Sequence, residues 1–537
     1  MKQILLLKLL LSHALLLCYP CSSLPFGRGK KAEEDNLQTN TIQPAEEDPI
    51  STHEIQRNES FTSQEIQDEH ASVRGAASSI SQETHADTNH ILEFFSSSAL
   101  ELYAPQALQE EIHEMSNSEH MKNFLTTTRR SLHRHPELMY QETFTSDTIQ
   151  TILKELDIKF TTGWAKNTHE EAFAGPGGYG VVGVIGTGEE PCIILRADMD
   201  ALPINEQTQQ VDSFQSRTAG KMHACGHDGH VTMLLGAAAL LKQVEASIVG
   251  TIRLVFQPAE EGGAGGKRMV EEGVVTTSPP ARHAFGMHVW PTLPSGVIAS
   301  RPGAIMAAAE MFEIKIEGKG GHAAMPHLAI DPIVTASALV MNLQTIVSRI
   351  VSPLEAGVVS VTMMSAGHAF NVIPSVATIR GTIRALSTEM LLSLRDRVSH
   401  MVSTTSEMHR CNYTLTYSPD YYPPTVNDPE LFNSFSQNVG KLLSKDWIDD
   451  IEPTMGGEDF SFFGEAIPST FFFLGQGSGG DEAHHLPPTN YGLHNPSFAL
   501  DETVMPVGVE LHVNLALRSL RKLKLEDEEG VGQSAEL

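Results

Sequence analysis

Between residues 304 and 421 the chain interrupts one apolar pattern with another, and this interruption constrains its fold more than any other feature. On either side, short apolar runs alternate with helical stretches. Residues 180–186 read as a strand and its turn, 192–197 as a buried strand, 231–241 as a helix and 251–257 as a further strand. Strands alternating with helices build an α/β domain around a largely parallel sheet. Inside the interruption, residues 311–317 alternate as a strand. Residues 331–350 read as a helix with Pro332 near its start, where a missing N–H costs little. Strands at 358–364 and 378–385, a helix at 388–409 and a strand at 413–417 follow. This β-α-β-β-α-β order is the ferredoxin-like unit. The α/β signals resume at Glu430. The expectation is therefore a larger α/β domain in two parts, 119–303 and 422–522, with a ferredoxin-like domain, 304–421, inserted between them.

The two ends of the chain have other characters. Lys2, an apolar stretch at 4–17 broken by Lys8 and His13, and the small residues Ser22 and Ser23 read as a signal peptide, 1–23. The stretch is too short and interrupted for a membrane span of about 20 residues. No other stretch reads as long and apolar enough to cross a membrane. The expected compartment is the secretory pathway, either the endoplasmic reticulum lumen or outside the cell. Residues 24–118 are dominated by Glu, Gln, Ser, Thr, His and Asn and are expected to be mostly disordered, with local helix at 91–95 and 100–108. Residues 523–537 read as an acidic tail. The net charge of −29, from 37 basic and 66 acidic residues, argues against nucleic acid as a partner. Outside the leader, Cys192, Cys225 and Cys411 form an odd, sparse set and not a disulfide framework.

Chemistry-bearing residues gather where the expected strands end. Asp198 and Asp200 follow one strand, and Glu260 and Glu261 another. His223, Cys225, His227, Asp228 and His230 crowd ahead of a helix. His288 follows an apolar run, and Glu458, Asp459 and His494 come late. In open α/β sheets ligands collect at the carboxyl ends of strands. Cys, His and Glu are the ligand types for zinc and similar divalent ions. Taken singly, Cys225 reads as a small buried residue, His227 and His288 as hydrogen-bonded core, Glu260 and Glu261 as a solvated face, and Asp228 as a helix cap. Together they point to a metal site assembled by the fold, without fixing the reaction. The glycines 262–266 before Lys267 lack the ending of a phosphate-binding loop and read as a tight turn.

The motifs are more specific than the spacing. Arg196-Ala-Asp-Met-Asp-Ala-Leu-Pro203, Met222-His-Ala-Cys-Gly-His-Asp-Gly-His230, Pro258-Ala-Glu-Glu-Gly262, Gly320-Gly-His-Ala-Ala-Met-Pro-His327, Phe370-Asn-Val-Ile-Pro374 and Gly456-Gly-Glu-Asp-Phe-Ser461 stand in order. With them, from about Thr128 to Ala516, the chain resembles the metal-dependent amidohydrolase family of aminoacylases, hippurate hydrolases and auxin-conjugate (indoleacetyl-amino-acid) hydrolases. The resemblance implies a metallopeptidase-like catalytic domain with the inserted domain as lid or dimerisation domain. It implies two divalent metal ions, manganese, zinc or cobalt, held by Cys225, His227, Glu261, His288 and His494. Glu260 would be the general base, Asp200 would orient a ligand, and His322 would bind the scissile carbonyl or its oxyanion. The implied reaction is hydrolysis of a linear amide in a small N-acyl amino acid. An auxin conjugate leads, and an N-acetyl- or N-benzoyl-amino acid is the alternative. A binding protein that kept the fold and lost catalysis is the alternative of another class. The resemblance leaves open a homodimer through the inserted domain. In other branches of the superfamily a His stands at the position of Asp198, whereas the Cys225-Gly226-His227 form belongs with the acyl-amino-acid branch.

Overall fold

The computed structural model describes residues 62–82, 106–208, 213–436, 447–477 and 487–535. The expected signal peptide, 1–23, and the expected helix at 91–95 lie outside these residues. Among the described residues four helices precede the first strand: α1 (Ser63–Ser81), α2 (Gln106–Ser116), α3 (Glu119–Arg134) and α4 (Thr143–Glu155). The larger sheet then begins with β1 (Lys159–Lys166), β2 (Gly177–Gly186) and β3 (Cys192–Asp198). It continues through α5 (His227–Gln243), β4 (Thr251–Gln257), α6 (Gly265–Glu271), β5 (Ala281–Pro294) and β6 (Ile298–Ala299).

A short strand, β7 (Gly303–Met306), leads out of this domain. The inserted unit holds β8 (Ala308–Glu317), β9 (Gly321–His322), α7 (Pro332–Thr345), β10 (Gly357–Ala366), β11 (Val372–Ile373), β12 (Val376–Ala385), α8 (Thr388–Met408) and β13 (Asn412–Tyr417). The chain returns through β14 (Thr425–Asn427) and ends with α9 (Pro429–Phe435), α10 (Ser461–Ala466), β15 (Ser469–Gly477) and α11 (Met505–Ala535).

The larger sheet has the order β1-β2-β4-β3-β5-β15-β6. Its four central strands, β4-β3-β5-β15, are parallel, while the β1-β2 hairpin and β6 add antiparallel edges. Every residue of β3, from Cys192 to Asp198, is buried, because helices cover both faces. Ile193 and Leu195 join the core under α5 and α11, and Ile194 joins Phe460, Phe463 and Met269 on the other face. Helix α5 is buried on all sides from His227 to Leu241 and lies in the first of these layers.

The inserted sheet, β10-β12-β8-β13, is antiparallel throughout, which is the ferredoxin-like topology read from the sequence. Strand β8 alternates buried and accessible residues, as one covered face requires. The core of this unit, including Ile314, Ile316, Leu339, Ile379 and Leu394, is separate from that of the larger domain.

Three expectations need correction. Segment 24–118 is not without packed structure: α1 buries Val73, Ala76, Ala77 and Ile80 against α3 and α4, and α2 buries Leu108, Ile112 and Met115. Residues 523–535 are not a free tail, because α11 runs through them. The stretch Pro332–Ile350, 19 residues with mean hydropathy 1.4, is long and apolar enough by length and composition to cross a membrane. It packs on the inserted sheet through Ala336, Leu339, Leu343 and Ile346 and leaves Val334 and Met341 outward.

Candidate active site

Parallel strands β3 and β4 end in register, Asp198 beside Gln257, so Asp200 and the segment 258–264 emerge side by side at the carboxyl edge of the sheet. The amino end of α5 points into the same edge. Gly226, between Cys225 and His227, has φ 98°, and a Cβ there would lie 2.5 Å from Val289 Cγ2. Only glycine fits this left-handed, crowded turn, which aims the side chains on either side of it into one space.

All five expected ligands meet there, in two groups that share Cys225. Cys225, His227 and His288 bring their donor atoms within 4.8 Å of one another, as do Cys225, Glu261 and His494. Cys225 Sγ is 3.3 Å from His288 Nε2, and His494 Nε2 is 3.2 Å from Glu261 Oε1. His494 is held at φ 63°, a conformation that a non-glycine residue keeps only where its surroundings impose it.

Two ring tautomers are fixed by backbone carbonyls. His227 Nδ1 donates to Asp200 O at 2.9 Å, and His288 Nδ1 donates to Val289 O at 2.7 Å. Each Nε2 thereby faces the cluster and, in the neutral ring, carries the lone pair. His230 is different. Its Nδ1 meets Asp198 Oδ1 at 2.6 Å, and its Nε2 accepts from Val289 N at 3.0 Å, so it has no lone pair to offer.

These residues fit a divalent cation. His227 Nε2 is buried without a hydrogen-bond partner, and Glu261 Oε1 has none beyond its ion-pair contact with His494, whereas buried polar atoms as a rule find one. Burial, with Glu261 and Glu260 nearby, pushes the Cys225 thiol well above its usual range. Burial would lower His227, but Asp198 and Asp200 outweigh it and raise the imidazole to about 10. Negative charge thus dominates the cluster, and a bound cation would relieve it.

The segment carrying Glu260 and Glu261 is fastened at almost every peptide. Ala259 N donates to Glu142 Oε1 at 2.9 Å, Glu260 N to Asp200 Oδ1 at 2.9 Å and Glu261 N to Asp200 Oδ2 at 3.0 Å. Asp200 therefore does more than orient His227: it holds both glutamate backbones. Gly262 N and Ala264 N donate to Tyr422 Oη, which in turn donates to Glu260 O. Ala259 and Ala264, at φ 59° and 55°, occupy the left-handed region that alanine rarely adopts. Burial first, then Glu458 and Glu261, raises the Glu260 carboxyl well above the carboxylate range.

Behind the cluster, the buried Arg196 guanidinium fans out to Gln257 Oε1, Asp198 Oδ2 and Asp459 Oδ1 at 2.8, 2.7 and 2.7 Å, with Glu458 Oε1 at 3.0 Å. Arg129 and His133 grip Asp228, next to His227, at 2.9 and 2.8 Å.

The cleft in front has a volume of about 410 Å³. Cys225, Glu260, Glu261, His288 and His494 line it, together with Trp290 and Leu493 from the larger domain and Met311 and Arg384 from the inserted one. His322 is not brought into the cleft. It lies exposed on β9, paired with Val372, and its Nδ1 accepts from Ala324 N at 3.1 Å. No role follows from the sequence alone for Arg196, His230, Tyr422 or Arg384. Arg196 carried a signal, being a charged residue inside an otherwise apolar strand. Arg384 and Tyr422 carried none, because they reach the site from the inserted domain and its return connection.

The profile of peptidase family M20/M25/M40 matches residues 194–518. The chain is 41% identical over 418 residues to the IAA-amino acid hydrolase ILR1-like 2 of Arabidopsis thaliana, covering 77% of this chain and 89% of that protein. It is 37% identical over 401 residues to an N-acetylcysteine deacetylase of Bacillus subtilis, covering 74% and 98%. Among solved structures, a dinuclear metal-binding peptidase of the M20 family from Bacillus subtilis superposes with TM-score 0.58 at 33% identity, covering 76% and 99%. The fold alone is shared with the aminobenzoyl-glutamate utilization protein of Klebsiella pneumoniae, at TM-score 0.54, 22% identity and coverage of 76% and 98%. The chain is a metal-dependent hydrolase that belongs to peptidase family M20/M25/M40.

Proposed function

We propose that this amidohydrolase cleaves the amide of an N-acyl amino acid, releasing the acyl acid and the free amino acid, with an indoleacetyl conjugate as the leading substrate. One observation carries the reading. Arg384 faces the cleft beside Glu260, partly buried, and no carboxylate among the described residues pairs with it. A guanidinium so placed suits the free carboxylate of an amino acid. Across the cleft, Trp290 is stacked on Phe473 at 4.2 Å and, with Leu493 and Met306, offers a rigid apolar wall for the acyl group. The likeness to IAA-amino acid hydrolases supports the indoleacetyl group, and the likeness to N-acetylcysteine deacetylases keeps short acyl groups as the alternative.

Cys225, His227, Glu261, His288 and His494 would hold two divalent ions, manganese, zinc or cobalt. Bound there, such ions lower the pKa of water toward about 7 and polarise a carbonyl. Glu260 takes the proton of the attacking water and passes it to the departing nitrogen. Its raised carboxyl pKa favours that exchange, and Asp200 and Tyr422 keep it in place. Arg384 orients the substrate. His322 would meet the developing oxyanion when the inserted domain closes or a second copy supplies it. The exposed apolar residues Met341, Met363 and Met364 on α7 and the edge strand β10 support such a pairing of copies. The expected signal peptide at 1–23 would direct it to the secretory pathway, either the endoplasmic reticulum lumen or outside the cell.

The test is a panel of indoleacetyl-, acetyl- and benzoyl-amino acids, each with manganese, zinc or cobalt, read by release of free amino acid. Release that is fastest from the indoleacetyl members, and lost when the amino acid carboxylate is amidated, is expected. No release from any member with any metal would overturn the reading, and indifference to amidation would remove the role of Arg384.

A further inference from the structure

The chain enters and leaves the inserted domain through one narrow ribbon. Strands β7 and β14 pair antiparallel, and just beyond them Ala309 and Tyr422 exchange both backbone hydrogen bonds, at 2.9 and 2.8 Å. Tyr422 is thus a residue of the hinge itself. Its side chain leaves the ribbon and enters the larger domain, where it is 8% exposed and packs edge-on against Phe462. There its hydroxyl accepts from Gly262 N at 3.1 Å and Ala264 N at 2.9 Å and donates to Glu260 O at 2.7 Å. A phenol oxygen offers one donor and two acceptor sites, and all three are spent on one loop. That loop carries Glu260 and Glu261. Two residues earlier in the ribbon, Asp420 pairs with Lys267 and Arg268 of α6, the helix that follows the loop. The hinge therefore holds the loop from the front and its outgoing helix from the side.

We propose that Tyr422 is a positioning residue that ties the loop of Glu260 to the hinge of the inserted domain. The loop cannot hold its shape cheaply without it. Ala259 and Ala264 sit at left-handed φ, and the N–H groups of Gly262 and Ala264 face Tyr422 Oη. Removing the hydroxyl strands the Ala264 N–H and leaves Gly262 N and Glu260 O with only their contact to each other at 2.6 Å, beside the proposed base, and a displacement of about 1 Å at a reacting group can cost a hundredfold. The inference rests on the amidohydrolase reading for its kinetic arm only.

The test is Tyr422→Phe, which keeps the ring against Phe462 and removes only the hydroxyl. On any amide that the wild type cleaves, kcat is expected to fall about ten- to a hundredfold with KM within about twofold and metal content unchanged. Amide hydrogen exchange supplies an arm independent of substrate. In the variant, peptides spanning 259–266 should exchange faster, while β8, β12 and α5 keep their protection. Tyr422→Ala should show the same pattern, enlarged. Wild-type kcat in Tyr422→Phe, unchanged exchange at 259–266, or a loss of kcat that merely follows loss of metal would each overturn the proposal. A wild type inactive on every amide would overturn the functional reading and leave the exchange arm to decide the role of Tyr422.

Discussion

Glu260 and Glu261 are adjacent, yet their carboxylates face different work, because Asp200 clamps both peptide N–H groups and lets the two side chains diverge. Glu261 turns to His494, while Glu260 sits among Glu458, Asp459 and Asp200 and is pushed toward the protonated form. Replacing Glu260 by Gln keeps shape and hydrogen bonding but removes the exchangeable proton. Metal content should stay as it is, and kcat should fall about a hundred- to ten-thousandfold; near-normal turnover would place the base elsewhere. Metal loading itself carries a pH signature. Without a cation, the Cys225 thiol is raised above its usual range and His227 is raised to about 10, so both hold their protons at neutral pH. Cation binding needs thiolate and neutral imidazole, so loading should release about two protons and apparent affinity should climb as pH rises. Calorimetry in buffers of different ionisation enthalpy reads the protons, and Cys225→Ser should flatten the climb. An affinity independent of pH would exclude this thiol as a ligand. The residues that face each other here were legible because their types and motifs announce metal chemistry. Tyr422 and Arg384 were not, since a tyrosine in a connection and an arginine in an alternating strand look like ordinary surface until the chain folds back.

At the scale of elements, α1 changes how the polar amino-terminal region is understood. Its sequence shows few apolar residues, but Val73, Ala76, Ala77 and Ile80 recur at helical spacing on one face. Small side chains let the helix approach closely, and composition alone hides this. Thr62 and Glu65 close a capping box at its start, Glu69 makes a two-point pair with Arg134 at 2.7 Å, and His70 stacks on Phe144. A chain begun at Gln106 would uncover that surface of α3 and α4. It is expected to melt earlier than the full chain, and Ile80→Ala, fully buried, should cost about 2–5 kcal/mol. Thermal and urea unfolding measure both; equal stability of the shortened chain would mean that the helix only rests on the domain. By contrast, the strand–helix order of both domains was readable, because period-2 and period-3.6 patterns are set by which faces are covered. What the sequence could not show was the mixed edge of the larger sheet, since pairing direction depends on connections and not on side-chain pattern.

Across the whole molecule, the two domains own separate cores, and the proposed ligands Cys225, His227, Glu261, His288 and His494 all belong to the larger one. The smaller one supplies Arg384 to the cleft and carries His322 on its exposed rim. On the proposed roles a division of labour follows from that layout: gathering cations would be a property of the sheet edge, while recognising the substrate would depend on how the insertion is held. The ribbon gives this a modular meaning. Because Ala309 and Tyr422 are hydrogen-bonded neighbours, the insertion is a guest whose two ends touch, and its host need not stretch to carry it. Splicing the chain from Ala309 to Tyr422 with a short glycine turn would excise the guest without opening a gap. The shortened protein should still fold and still take up its cations, yet release no amino acid from any conjugate. Such a molecule would be a metal-binding protein made from an enzyme by one deletion, and its failure to fold would show that the host had come to depend on its guest.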